Sequence, residues 1–193
     1  YKNEVLFSQT VPFEIGNELV SDLEKYNIEW LLEGKKTLYY RNKPYTTHIG
    51  DFKDEQKHLY PSAYKELEPS KASDLVFDKF CIGIHKNSDF KSFEAKYSKI
   101  FTIIDRGNNF YEIVPANCSK ATGMEFLMKH FNVDKKDTIA IGDSTNDLTM
   151  LEFAGTSIAM KHSSPIVLEK ADYVTDDVFD DGIYNAMKHF ELI

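Results

Sequence analysis

The sequence predicts an α/β chain in two parts. Residues 1–114 read as an α+β domain, and residues 115–193 as part of a doubly wound parallel sheet with helices on both faces. Three observations predict this. After Pro115, short apolar runs suited to buried strands alternate with stretches of helical period, the pattern of parallel α/β sheets. Before Pro115, helical stretches and strand pairs alternate with turn signals between them. Third, the apolar run at residues 139–141 ends at Gly142, and two carboxylates and an amide follow before Leu148 and Leu151 resume helical spacing. Such a hand-over from strand to helix is where open α/β sheets bind ligands.

Taken in order, Glu4-Val5-Leu6-Phe7-Ser8 reads as a strand, and Pro12 opens an amphipathic helix with Ile15, Leu19, Val20, Leu23 and Tyr26 on one side. Residues 28–33 and 37–41 flank Gly34-Lys35-Lys36 as a hairpin. Trp30, Tyr39, Tyr40 and Tyr45 could face a ligand, but composition favours their packing the hairpin. Residues 51–69 are polar and irregular, a loop with a short helix. Residues 79–84 form a strand, Asp89 caps a helix carrying Phe90, Phe93, Ala95 and Tyr97, and residues 101–104 and 110–114 form strands joined by a turn-rich link. The first part thus reads as a β-α-β-β unit given twice. In the second part, Ser119 caps a helix with Met124, Leu127, Met128 and Phe131 on one face. Strands follow at residues 139–141, 156–160 and 172–175. Between and after them come the Leu148–Leu151 helix, a short helix from Pro165, and a last helix capped by Asp181.

Composition narrows the function. Hydrophobic residues make up 42% of the 193, enough for a sizeable core. Lys plus Arg number 23 against 31 Asp plus Glu, a net charge of −8 that argues against a general nucleic-acid or anionic-membrane binder. Cys81 and Cys118 have no metal or redox spacing and suit buried apolar roles in a reducing cytoplasm. No apolar run reaches the length of a membrane span, and no basic-then-apolar leader opens the chain. The other histidines, His48, His58, His85, His130 and His189, share no ligand spacing.

Chemistry gathers at the Gly142 hinge. Asp143 and Asp147 offer the hard oxygens that Mg²⁺ takes, and backbone N–H groups at a helix start favour an anion. Asp and Asn are equally ordinary loop and cap residues, so the hinge alone leaves a structural role open. Lys120 sits near a helix start, where a cation opposes the macrodipole.

Five pieces agree in order and spacing: Ser119-Lys120-Ala121-Thr122-Gly123; Ile141-Gly142-Asp143-x-x-Asn146-Asp147-x-x-Met150-Leu151; Ala159-Met160; Ala171-Asp172-Tyr173-Val174-Thr175; and Asp181-Gly182. Together they resemble the C-terminal half of a haloacid dehalogenase (HAD) superfamily phosphatase, nearest to the Cof-type group, subclass IIB. Residues 1–114 resemble that family's cap domain in layout. The resemblance implies a Rossmann-like core and Mg²⁺-dependent hydrolysis of small phosphate monoesters such as sugar phosphates, through an aspartyl-phosphate. By position it implies Asp143 as the metal ligand and Lys120 as the catalytic lysine that also binds the substrate phosphate. It places Asn146 near the phosphoryl group and makes Asp147 the supporting carboxylate of the catalytic set.

Two departures accompany it. The family's opening Asp-x-Asp-x-Thr and its Ser/Thr phosphate-binding segment have no match; Asp176-Asp177 and Asp180-Asp181 lack the one-residue gap and fall at the wrong end. The chain also begins at Tyr1, without Met, inside a β-like run. It is therefore expected to start inside the cap and to be inactive alone. An oligomeric partner or a missing N-terminal segment would complete the core. In the second departure, Lys161-His162-Ser163-Ser164 stands where the family shows a Gly-Asn-Ala-like turn; His162 could line the site, but the loop surface is the expectation. The rival expectations are a non-catalytic truncated module that binds a phosphorylated ligand or a protein partner, and a HAD-type phosphomutase.

Overall fold

The structure, a computed structural model, describes residues 1–68 and 75–193. The chain divides into two compact units, Tyr1–Ala116 and Asn117–Ile193.

The first unit contains α1 (Phe13–Lys25), β1 (Glu29–Glu33), β2 (Leu38–Arg41), α2 (His48–Leu59), β3 (Tyr64–Leu67), β4 (Lys79–Gly83), α3 (Phe90–Tyr97), β5 (Phe101–Asp105) and β6 (Phe110–Pro115). The strands form one six-stranded sheet in the order β3-β2-β1-β4-β6-β5. β1 and β2 make the expected hairpin, with Leu32 opposite Tyr39. Alternate side chains of a strand point to opposite faces, and β1 divides its residues accordingly. Trp30 and Leu32 join Leu19, Leu23, Phe80 and Phe93 in one fully buried cluster. Leu31 joins Tyr40, Ile49 and Cys81 in a second. The hairpin aromatics pack as expected: Tyr40 is fully buried, stacked on Tyr64 at 5.2 Å and met edge-on by Tyr45.

The structure corrects three readings in this unit. Residues 4–8 form no strand: Val5 and Phe7 are exposed, and the segment pairs with no described strand, so its alternation has no sheet to serve. The β-α-β-β repeat therefore lacks its first member. Within residues 51–69, whose last residue lies outside the described ones, the structure has most of a twelve-residue helix, α2, and then β3, parallel to β2. Thr47 caps α2 by accepting from the Ile49 N–H at 3.4 Å.

The second unit contains α4 (Lys120–Phe131), β7 (Ile139–Gly142), α5 (Leu148–Phe153), β8 (Thr156–Ala159), α6 (Pro165–Lys170), β9 (Tyr173–Val174) and α7 (Gly182–His189). Its three strands lie parallel in chain order, β7-β8-β9, with Ile141 opposite Ile158 and Ile158 opposite Tyr173. Ala140, Leu151, Ala159 and Val167 form the core. Ser119 caps α4 reciprocally with Thr122, each side-chain oxygen accepting from the other's N–H at 3.1 and 2.9 Å. The expected apolar face of α4 is not buried: none of its residues is, and Leu127 and Phe131 are 48% and 45% exposed. Asp181 precedes α7 but does not cap it with its side chain. Its φ of 56° is left-handed, and an N-cap needs an extended backbone to aim its oxygen at the first turn. Among the described residues, no helix is long and apolar enough to cross a membrane.

Candidate active site

β7 delivers Gly142 to the hinge, and the chain turns at once through the 3-10 turn Thr145–Asp147 into α5. Asp147 folds back beneath that turn and is 3% exposed. Its Oδ2 accepts from the Asp143 and Ser144 N–H groups at 3.0 and 3.2 Å, and its Oδ1 accepts from the Lys120 ammonium. Gly142 is required by this packing: a Cβ there would lie 2.5 Å from Asp147 Cβ. Burial pushes the Asp147 carboxyl up. The hydrogen bonds from Lys120, Asp143 and Ser144 outweigh that, and its pKa falls below the ordinary aspartate value.

Lys120 is the first residue of α4, and its side chain is 47% exposed where that of Asp147 is 5% exposed. The ammonium is thus tethered at its inner side and open at its outer side. Asp143 is exposed, and among the described residues its carboxylate makes no hydrogen bond or ion pair. Asp147 has both oxygens occupied, so Asp143 is the hinge carboxylate left to hold something else.

A cleft of about 540 Å³ opens here, lined by Lys120, Asp143, Asp147, Met160, His162 and Asp177 among others. Its walls come from the carboxyl ends of all three parallel strands: Asp143 follows β7, His162 follows β8, and Asp177 follows β9. The structure thus brings Lys120, Asp143 and Asp147 together. It does not bring in Asn146, which does not line the cleft and whose Oδ1 accepts from the Ser144 hydroxyl at 2.6 Å. His162, expected as loop surface, is 75% exposed yet lines the cleft, its Nε2 3.4 Å from Asp177 Oδ2. Sequence reasoning missed Asp177. The available signal was its place just after the last strand of a parallel sheet.

Among the described residues, no three His, Cys, Asp or Glu side chains gather as a metal cage. One unpaired carboxylate on a cleft wall nevertheless suits Mg²⁺, which takes one or two carboxylates and completes its shell with water and substrate phosphate. Other residues of the resemblance serve structure. Asp172 Oδ2 accepts from the Ser157 N–H and hydroxyl at 2.8 and 2.7 Å, and the buried Thr175 hydroxyl donates to the Gly182 carbonyl at 2.6 Å.

Comparison with known proteins places the chain in a family. A protein from the 5′ region of pdhA in Geobacillus stearothermophilus is 39% identical over 82 residues, 42% of this chain and 86% of that protein. The 5-amino-6-(5-phospho-D-ribitylamino)uracil phosphatase YcsE of Bacillus subtilis is 30% identical over 99 residues, 51% of this chain and 40% of that protein. Other curated relatives are likewise matched over 21% to 41% of their length. The solved structure of a HAD subclass IIB sugar phosphatase superposes with a TM-score of 0.78 at 22% identity, covering 100% of this chain and 72% of that one, a likeness of fold. The profile of the haloacid dehalogenase-like hydrolases matches residues 1–187. The chain therefore belongs to the haloacid dehalogenase-like hydrolase family.

Proposed function

We propose that this chain is part of a cytoplasmic Mg²⁺-dependent phosphatase of small phosphorylated metabolites, sugar phosphates among them. The observation that carries the reading is the division of labour at the hinge: Asp147 is buried and saturated, Lys120 is anchored on it, and Asp143 stands free on the cleft wall. The names of YcsE and of the sugar phosphatase support the same class of activity.

Phosphoryl transfer asks the protein chiefly for positioning and charge neutralisation. Asp147 holds the Lys120 ammonium at a fixed place, and its outer N–H bonds meet the phosphoryl oxygens. Asp143 would hold Mg²⁺, which when bound offsets phosphoryl charge and allows a carboxylate to approach. The attacking group in this reading is an aspartate outside these 193 residues. Its oxygen bonds to phosphorus as the ester P–O bond breaks, and the alcohol leaves with a proton from a second carboxylic acid that lies, in this reading, two residues after the nucleophile and is reprotonated by the water of the next step. Water then cleaves the aspartyl-phosphate, releasing inorganic phosphate and restoring the carboxylate. By the same reading, these residues alone turn over nothing.

The test is phosphatase activity, with Mg²⁺, of a chain extended upstream from its coding DNA. Asp143→Ala should lower kcat at least about 100-fold, the loss typical when one transition-state electrostatic contact is removed. Activity unchanged by that substitution rejects the assigned metal role. The second reading is a non-catalytic module that binds a phosphorylated ligand. An upstream frame without Asp-x-Asp-x-Thr would select it.

A further inference from the structure

Asp143 carries its free carboxylate on a main chain that is held on both sides. Its N–H donates to Asp147 Oδ2 at 3.0 Å, and its carbonyl accepts from the Ser164 N–H at 3.3 Å. The second bond exists because the loop after β8 doubles back onto the hinge. The Met160 N–H donates to the Gly142 carbonyl at 3.0 Å, continuing the parallel pairing of β7 with β8. The chain then turns tightly: the Ser163 N–H and hydroxyl both donate to the Met160 carbonyl, at 3.0 and 2.6 Å. That hydroxyl also lies 3.5 Å from the Gly142 carbonyl oxygen, and Ser163 is 7% exposed. So folded, the loop presents the Ser164 N–H to the next carbonyl of the hinge. Gly142 and Asp143 thus each receive one N–H from the same loop.

The two polar groups of Ser164 divide sharply. Its hydroxyl oxygen is buried and has no partner among the described residues. Although Ser164 stands at the start of α6, that hydroxyl does not cap the helix. The N–H is the group the fold uses, and it is spent on Asp143. Ser164 does not line the cleft, so any influence it has there passes through Asp143. A ligand on a loose loop must surrender main-chain freedom when it takes a cation, at about 1–2 kcal/mol for each residue fixed. With its N–H and carbonyl both bonded, Asp143 has only its side-chain rotations left to settle.

We propose that Ser164, through its main-chain N–H, is a positioning residue for Asp143. It fixes the Asp143 peptide against the loop after β8, so that the carboxylate is held ready for a divalent cation in the cleft. The proposal rests on the reading of Asp143 as the Mg²⁺ ligand. The backbone at Ser164 supplies the means of testing it. Its φ of −59° and ψ of 149° are angles that proline adopts, so Ser164→Pro deletes the N–H while leaving these angles as they are. Ser164→Ala keeps the N–H and discards only the unpartnered hydroxyl.

The experiment is a magnesium chloride titration of the 193-residue chain, followed by NMR at the amides of residues 143 and 144. The parent chain should show saturable shifts there, and Asp143→Ala should lose them. Ser164→Pro should raise the Mg²⁺ dissociation constant about tenfold, the low end of the loss when a contact supporting a metal ligand is removed. Ser164→Ala should retain the parent affinity. Proline also constrains Ser163, so the second variant replaces the amide between Ser163 and Ser164 by an ester, which has no N–H. It should weaken Mg²⁺ binding in the same direction. An unchanged dissociation constant in both variants that lack the N–H, or an equal rise in Ser164→Ala, overturns the inference and leaves Asp143 as the ligand. A parent chain without saturable shifts, or shifts that survive Asp143→Ala, overturns the metal reading and the inference with it.

Discussion

Asp147 is the residue on which the hinge depends, and its titration gives a measurable signature. Its folded pKa lies below the ordinary value because of Lys120 and two backbone N–H donors acting against burial. A carboxyl depressed in this way contributes stability that is complete above its unfolded pKa, about 3.9. That contribution disappears as pH falls through the lower folded value. Asp147→Asn should therefore destabilise the chain at pH 7 in urea melts, and the deficit should shrink well below pH 4. An equal deficit at both pH values would mean that the charge, as opposed to the shape, is irrelevant. The same turn decides where Asn146 sits. The turn that brings two N–H groups onto Asp147 leaves Asn146 bonded to Ser144.

At the scale of elements, the first unit holds a comparable device. Glu29 on β1 is 1% exposed and receives the N–H and hydroxyl groups of both Thr46 and Thr47 at 2.6 to 3.0 Å, with Arg41 of β2 at 3.1 Å. This carboxylate ties the β2–α2 connection to the sheet. Burial raises its pKa and the threonine donors lower it further, leaving it below the ordinary glutamate value. Glu29→Ala would strand the buried Arg41 guanidinium and should cost about 3–5 kcal/mol of stability, read as a lower denaturant midpoint. None of this was visible in the sequence, because the contacts join residues twelve or more positions apart with no periodic pattern. What was legible followed apolar period. α1 carries a clear stripe, with Leu19, Val20 and Leu23 buried, and was read correctly. α2 buries only Ile49 among its hydrophobic residues, so no stripe announced it. β3 is held by backbone pairing with β2 and has an exposed middle, so it shows no alternation to read. In the site, Lys120, Asp143 and Asp147 were legible because they lie in local patterns. Asp177 and His162 were not, because only the order of the parallel strands brings their loops to one cleft.

For the whole molecule, β7 stands at the margin of its sheet, paired with β8 on one side and with no described strand on the other. Leu127 and Phe131 of α4 are half exposed, and Phe179 is 94% exposed. A strand margin and apolar surface of this kind invite pairing with further polypeptide. We propose that the second unit is completed by another segment or another copy. Light scattering of the 193-residue chain should then show association that rises with concentration, and a monodisperse monomer would count against it. The first unit has a different kind of margin. β3 joins its sheet parallel to β2 at the rim, while the β1–β2, β1–β4, β4–β6 and β5–β6 pairs are antiparallel. The α2–β3 excursion is therefore a cassette grafted onto a finished antiparallel sheet. Lengthening, trimming or trading it would spare every interior ladder, provided a replacement still roofed Leu31 and Tyr40, so this is where the fold can diversify most cheaply.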